Sequence, residues 1–215
     1  MGRMQKSDFA IRPIRPEDYP QVRAIYEMGL QTGNASWETK GQNWEQFSRK
    51  KIMETVFVAV DADDDNKVLG WVGAAKASTR SVFHGVVEDS IYTHPDARGR
   101  GVAGALLDHL IQTCISLHKW SIHSWIFPEN EGSAGLHKSR GFEKVGTFHN
   151  MAQMAYGERR GEWLLGGPPR RVARLRHLGA DSADVARLLA QVFLERLLAH
   201  RQEEDEGDNR QRDHE

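Results

Sequence analysis

The chain has one cysteine, Cys114, so it can form no internal disulfide, and such usage suits a reducing compartment such as the cytosol. Its place in an apolar helical stripe assigns it to packing rather than to nucleophilic chemistry. No apolar run approaches the ~20 residues needed to span a bilayer, and the N-terminus lacks the apolar core of a secretory leader. A soluble, cytoplasmic protein without a membrane partner is expected. Neither sign of charge dominates: 29 Lys and Arg stand against 30 Asp and Glu, so there is no bulk attraction for nucleic acid. No HExxH or CxxC spacing offers metal ligands, and no GxxxxGK[ST] offers a Walker loop, so no metal is expected. The length of 215 residues suggests one domain with an appendage.

What is present is organised around the stretch from Glu88 to Leu107. Alternation predicts a strand with Glu88, Ser90 and Tyr92 on one face and Asp89, Ile91 and Thr93 on the other. A Pro-containing turn follows, and then a loop rich in small residues opens a helix striped by Ala103, Leu106, Leu107, Leu110 and Cys114. Gly99, Gly101 and Gly104 carry no Cβ, so main-chain N–H groups can closely approach an incoming group. The helix start adds unpaired donors and the positive end of its dipole. Such a loop suits the phosphates of a nucleotide-like ligand. From these residues alone, a tight turn capped by arginine is the plain alternative.

Other elements follow from the same patterns. Strands are expected at Phe9–Arg12, Val56–Val60, Val68–Lys76, Gly85–Thr93, Ser121–Ile126 and Glu143–His149, with an acidic turn over Asp61–Lys67. Pro16 suits the first position of a helix bearing Tyr19, Val22, Ile25, Tyr26 and Leu30. Trp44, Phe47, Ile52 and Met53 suggest a second helix. Asn130 can cap a short helix that Gly141 ends. This alternation indicates an α/β layer architecture. Beyond Trp163 the character changes. Gly166-Gly167-Pro168-Pro169 is expected to break any strand, and Arg170, Arg171, Arg174 and Arg176 form a basic cluster. An amphipathic helix is expected over about 182–200, ahead of a charged, disordered end.

The spacing Arg98-x-x-Gly101-x-Ala103, directly after a strand, resembles the pyrophosphate loop of the GCN5-related N-acetyltransferases, which bind acetyl-CoA. A second block, FPENEGSAGLHKSRGF from Phe127 to Phe142, together with Val87-Glu88-Asp89-Ser90-Ile91-Tyr92, narrows the resemblance to the branch acting on phosphinothricin and methionine sulfoximine. The resemblance runs from about Phe9 to Trp163, giving an expected domain over residues 9–163 between an N-terminal tail (1–8) and a divergent tail (164–215). It implies a mixed, mostly antiparallel sheet with a central splay, flanked by helices. It also implies acetyl transfer to the α-amine of a small amino-acid analogue, and a homodimer.

By this resemblance Glu88 is the general base and His137 serves the departing sulfur. Ile91, Tyr92 and Thr93 pair with the pantetheine arm. Arg98, Gly99, Arg100, Gly101, Val102, Ala103 and Gly104 hold the pyrophosphate, and Asn130 and Ser133 reach the cofactor from the short helix. Arg80 and Phe83 face the substrate, and Trp37 and Glu38 lie over it. Each has a bland alternative: a solvated strand glutamate, a structural histidine, an exposed arginine, a packed aromatic. The family's last apolar strand is expected to be missing here, so CoA binding with little turnover is the second reading. A third makes the Arg170–Arg176 cluster a nucleic-acid contact, against which the acidic tail beside it argues.

Overall fold

The computed structural model describes residues 8–154 and 159–167. Seven strands form one sheet in the order β1-β2-β3-β4-β5-β7-β6. They are β1 (Phe9–Pro13), β2 (Phe57–Asp61), β3 (Val68–Lys76), β4 (Val86–Thr93), β5 (Ser121–Ile126), β6 (Glu143–Gln153) and β7 (Arg159–Gly167). The helices are α1 (Tyr19–Gln31), α2 (Trp44–Lys50), α3 (Val102–Ser116) and α4 (Glu131–Ser139). No helix among the described residues is long and apolar enough to cross a membrane.

Every neighbouring pair of strands is antiparallel except β4 and β5. β2 and β3 are apolar and buried along nearly their whole length, as central strands covered on both faces require. One core holds Leu106, Leu107, Leu110 and Cys114 of α3 against Val87, Ile122 and Leu165. The other holds Tyr19, Val22 and Ile25 of α1 and Phe47 of α2 against Val58, Val60 and Trp71. Cys114 is fully buried, and burial pushes its thiol up to about 12, which suits packing rather than nucleophilic attack.

Three expectations need correction. Pro16 begins a 3₁₀ turn, Pro16–Asp18, rather than α1. Pro20 has no N–H to donate to the carbonyl of residue 16, so the α-helical ladder cannot extend back that far. The second helix ends at Lys50; Ile52 precedes and Met53 opens a separate 3₁₀ turn, Met53–Thr55. Asn43 starts that helix with a capping box: its side chain accepts from Gln46 N at 2.9 Å while Gln46 Oε1 accepts from Asn43 N at 3.1 Å.

The third correction concerns the end of the domain, because the last strand is present. β7 pairs with β5 from Ile126↔Trp163 to Ile122↔Gly167 and with β6 on its other side. Gly166 and Gly167 continue the strand instead of breaking it. A Cβ at Gly167 would stand 2.9 Å from the Phe142 ring, so glycine lets the chain close over that side chain. β6 also runs past its expected end, through a register shift between Phe148 and Ala152 where Asn150 takes φ 52°. The helix expected over about 182–200, the Arg170–Arg176 cluster and the charged end lie outside the described residues.

Leu165 is fully buried in the α3 core. Leu165→Ala should therefore lower the unfolding free energy by about 2–5 kcal/mol. Urea denaturation followed by far-UV circular dichroism measures this, and a loss near zero would place Leu165 outside the core.

Candidate active site

β4 and β5 pair over only three register positions, Val86↔Ser121, Val87↔Ile122 and Glu88↔His123, and then diverge. Beyond this seam β4 keeps β3 on one side and opens a cleft on the other. Ile91, Tyr92 and Thr93 line the opening, so main-chain groups there can receive an extended ligand as an added strand.

Side chains take over where main-chain pairing stops. Asp89 and Ser124 are the first residues past the seam, and the Ser124 hydroxyl donates to Asp89 Oδ1. Asp89 Oδ2 lies 2.9 Å from His137 Nε2, and His137 Nδ1 donates to the Ser133 carbonyl at 2.7 Å. All three side chains are buried. Burial alone would depress the His137 pKa, but Asp89 beside it and the Ser133 carbonyl bring it above the ordinary value. Nδ1 faces the Ser133 carbonyl and Nε2 the Asp89 carboxylate, so each nitrogen is placed to donate and neither is idle. The role expected of His137, donation to a departing sulfur, finds no idle N–H here; its imidazolium instead holds α4 against the sheet.

Glu88, Ser90 and Tyr92 point to the opposite face, as the alternation requires. The cleft, about 1730 Å³ in all, also reaches Asp89, Ser124 and His137, and on this face takes in Glu88, Trp37, Glu38, His123, Trp125 and Glu162. His123 stands directly across the seam from Glu88. Burial holds its imidazole below the ordinary value despite the pull of Glu88, so near neutral pH it is uncharged. Lys51 Nζ donates to Ser90 Oγ at 2.8 Å, two residues along the same face from Glu88.

The segment after α1 covers this face and is tied at successive residues. Arg160 donates to the Gly33 carbonyl at 2.5 Å and to Asn34 Oδ1 at 3.0 Å, and pairs with Glu129 at 2.6 Å. Asn130 Nδ2 donates to the Asn34 carbonyl at 3.1 Å, and Tyr92 OH to the Ala35 carbonyl at 3.0 Å. Trp37 meets Phe127 edge-on, ring centroids 4.6 Å apart.

At the far end of the opening, Gly99 and Gly101 take φ of 75° and 77°, and a Cβ on either would meet nothing within 4 Å. Gly101 precedes α3 with no side-chain cap, so the first-turn N–H groups of Val102, Ala103 and Gly104, residues that line the opening, have no acceptor within the helix. This cradle fits a diphosphate. Arg98 lines it. The Arg100 side chain turns away, donating to Asp8 Oδ2 at 2.7 Å and to the Asp8 carbonyl at 3.0 Å, so only its main chain remains for a ligand. Asn130 caps α4 through Ser133 N at 3.1 Å, and Ser133 lines the cleft.

Most of the expected residues therefore meet along one opening. Arg80 and Phe83 do not: they stack on each other at 5.6 Å around the 3₁₀ turn Ser81–Phe83, outside the cleft lining. Residues missed from the sequence are Lys51, Asp89, His123, Ser124, Arg160 and Glu162. Only Asp89 and His123 carried a signal, since alternation alone fixes which face each one serves.

The chain matches the model of the acetyltransferase (GNAT) family over residues 14–142. It is 31% identical over 158 residues to a phosphinothricin N-acetyltransferase of Alcaligenes faecalis, covering 72% of this chain and 77% of that one. It is 30% identical to an L-methionine sulfoximine/L-methionine sulfone acetyltransferase of Pseudomonas aeruginosa, covering 72% and 89%. The crystal structure of a phosphinothricin acetyltransferase from Sinorhizobium meliloti in complex with AcCoA superimposes with a TM-score of 0.67 at 26% identity, covering 75% of this chain and 88% of that one.

The raised His137 pKa gives a signed expectation. The pair with Asp89 contributes its full stability below the unfolded-state pKa of about 6.5 and loses it as pH rises through the higher folded value. His137→Gln should cost about 3–5 kcal/mol near pH 6, and the gap from wild type should shrink towards pH 9. Melting temperatures of both proteins across that range measure it; a gap independent of pH would mean the imidazole is not charged.

Proposed function

The chain belongs to the acetyltransferase (GNAT) family and is an N-acetyltransferase; from that premise we propose that it acetylates the α-amine of a small amino-acid-like molecule by direct transfer. The observation that carries this reading is the place of Glu88: the last paired residue of the seam, facing the covered cleft, with the glycine cradle farther along the same opening. Acetyl-CoA, when bound, supplies the acetyl group as an activated thioester.

Glu88 takes the ammonium proton, directly or through a water, because only the neutral amine is a nucleophile. Neutral His123 beside it adds no positive charge to repel that ammonium. Lys51 supplies the cation expected of Arg80: fixed on Ser90, it can meet a carboxylate while the amine of the same molecule lies at Glu88. This spacing favours an α-amino acid over a simple amine. Trp37, Phe127 and Trp125 supply apolar walls that exclude water. His137 acts as a positioning residue, and the sulfur leaves as a thiolate that takes its proton from bulk solvent on release. The second reading, binding without turnover, rested on a missing final strand, and β7 removes that premise.

Glu88→Gln keeps the shape and removes the base, so turnover should fall by about 10²-fold or more while acetyl-CoA affinity holds. Thiol release with phosphinothricin, methionine sulfoximine and methionine sulfone measures this; wild-type turnover in the variant would assign the base elsewhere. Lys51→Met should raise KM about tenfold or more for amino-acid substrates and leave it unchanged for analogues lacking the carboxylate. An equal change for both would remove Lys51 from substrate binding.

A further inference from the structure

Arg140, at the C-terminal end of α4, reaches across to the start of α3. Its guanidinium lies so close over Gly104 that a Cβ there would collide with Nη2. Gly104 lies in the first turn of α3 without a left-handed φ, so the helix backbone does not require glycine; the approaching guanidinium does. Arg140 Nη1 donates to Ser139 Oγ at 2.7 Å, and Nε stands 3.4 Å from Asp108 Oδ1, one turn beyond Gly104 on the same face of α3. That Asp108 side chain is 58% exposed, so its attraction for the guanidinium is weak.

A cation over the first turn of a helix sits at the positive end of the dipole, where its own position is unfavourable. Beside it are the unpaired N–H groups of Val102, Ala103 and Gly104, and Arg98 lines the same stretch of the opening. Positive groups gathered at one mouth with only a half-engaged carboxylate between them are poised for an anion. We propose that Arg140 is a phosphate-binding side chain, turning from Asp108 to close on the cofactor's phosphates from the α4 side, opposite the glycine turn. This rests on the acetyl-CoA reading above. The planar fork can engage two phosphate oxygens at once, and Gly104 leaves the room it needs.

Titration calorimetry with CoA and with 3′-dephospho-CoA tests the proposal on wild type, Arg140→Gln, Asp108→Asn and the double variant. Arg140→Gln should weaken CoA binding about tenfold and make its salt dependence shallower. A loss confined to CoA assigns the contact to the ribose 3′-phosphate; an equal loss with 3′-dephospho-CoA assigns it to the diphosphate. Asp108→Asn should strengthen binding about twofold, a gain that vanishes without Arg140. Should Arg140→Gln fail to fold, Arg140→Lys, which keeps the charge and loses the fork, should still bind CoA more weakly than wild type. Wild-type CoA affinity in the folded Arg140 variant at every salt concentration would overturn the proposal. No CoA binding by the wild type would instead overturn the acetyl-CoA reading itself.

Discussion

The architecture depends on how one buried carboxylate fills the gap where two strands part. An opened sheet leaves main-chain donors and acceptors without partners, and each costs free energy if water cannot reach it. Asp89 occupies that point. One oxygen takes the Ser124 hydroxyl from β5 and the other takes the His137 imidazolium from α4. The carboxylate thereby joins the two diverging strands to α4. Its neighbour Glu88 faces the other way into the cleft. The strand thus puts a buried, hydrogen-bonded acid and an acid facing the cleft at adjacent positions, separated only by the direction of alternate side chains.

Three kinds of interaction share the work around this fork. Helix-start N–H groups and glycines with positive φ offer fixed donors at the cradle. The charged pair below keeps α4 in register with the sheet. Above, aromatic contacts and main-chain hydrogen bonds hold the covering segment over the face that carries Glu88. Each is held by contacts within the chain itself, and groups fixed in this way reduce the entropic cost of binding.

Much of this could be read from the chain. The alternation of Glu88–Thr93 assigned both faces of β4, and Asn130 and Gly141 bounded α4 because capping chemistry is local. The glycine turn announced itself by spacing. What stayed hidden was set by pairing between distant residues. Asp89 meets Ser124 across 35 positions and His137 across 48, and neither separation leaves a periodic trace. Lys51 reached the site only because α2 ends beside β3. The Gly-Gly-Pro-Pro stretch misled for the opposite reason: local composition argued against a strand, while the edges of β5 and β6 and the Phe142 ring secured one.

Arg160 adds a temporal dimension to the geometry. It lies near the start of β7, the last strand of the sheet, yet it fastens Gly33 and Asn34, 127 and 126 residues earlier. A chain emerging from its N-terminus can form α1 and pair β1 to β4 well before Arg160 has been made. The ties that Arg160 makes to the covering segment can form only after that, and contacts of such long sequence separation form late in folding. An incompletely synthesised chain could therefore hold the glycine cradle and the Glu88 strand while the segment over them kept only its ties to Tyr92 and Asn130. Finishing the domain and finishing the site are, for this topology, the same event.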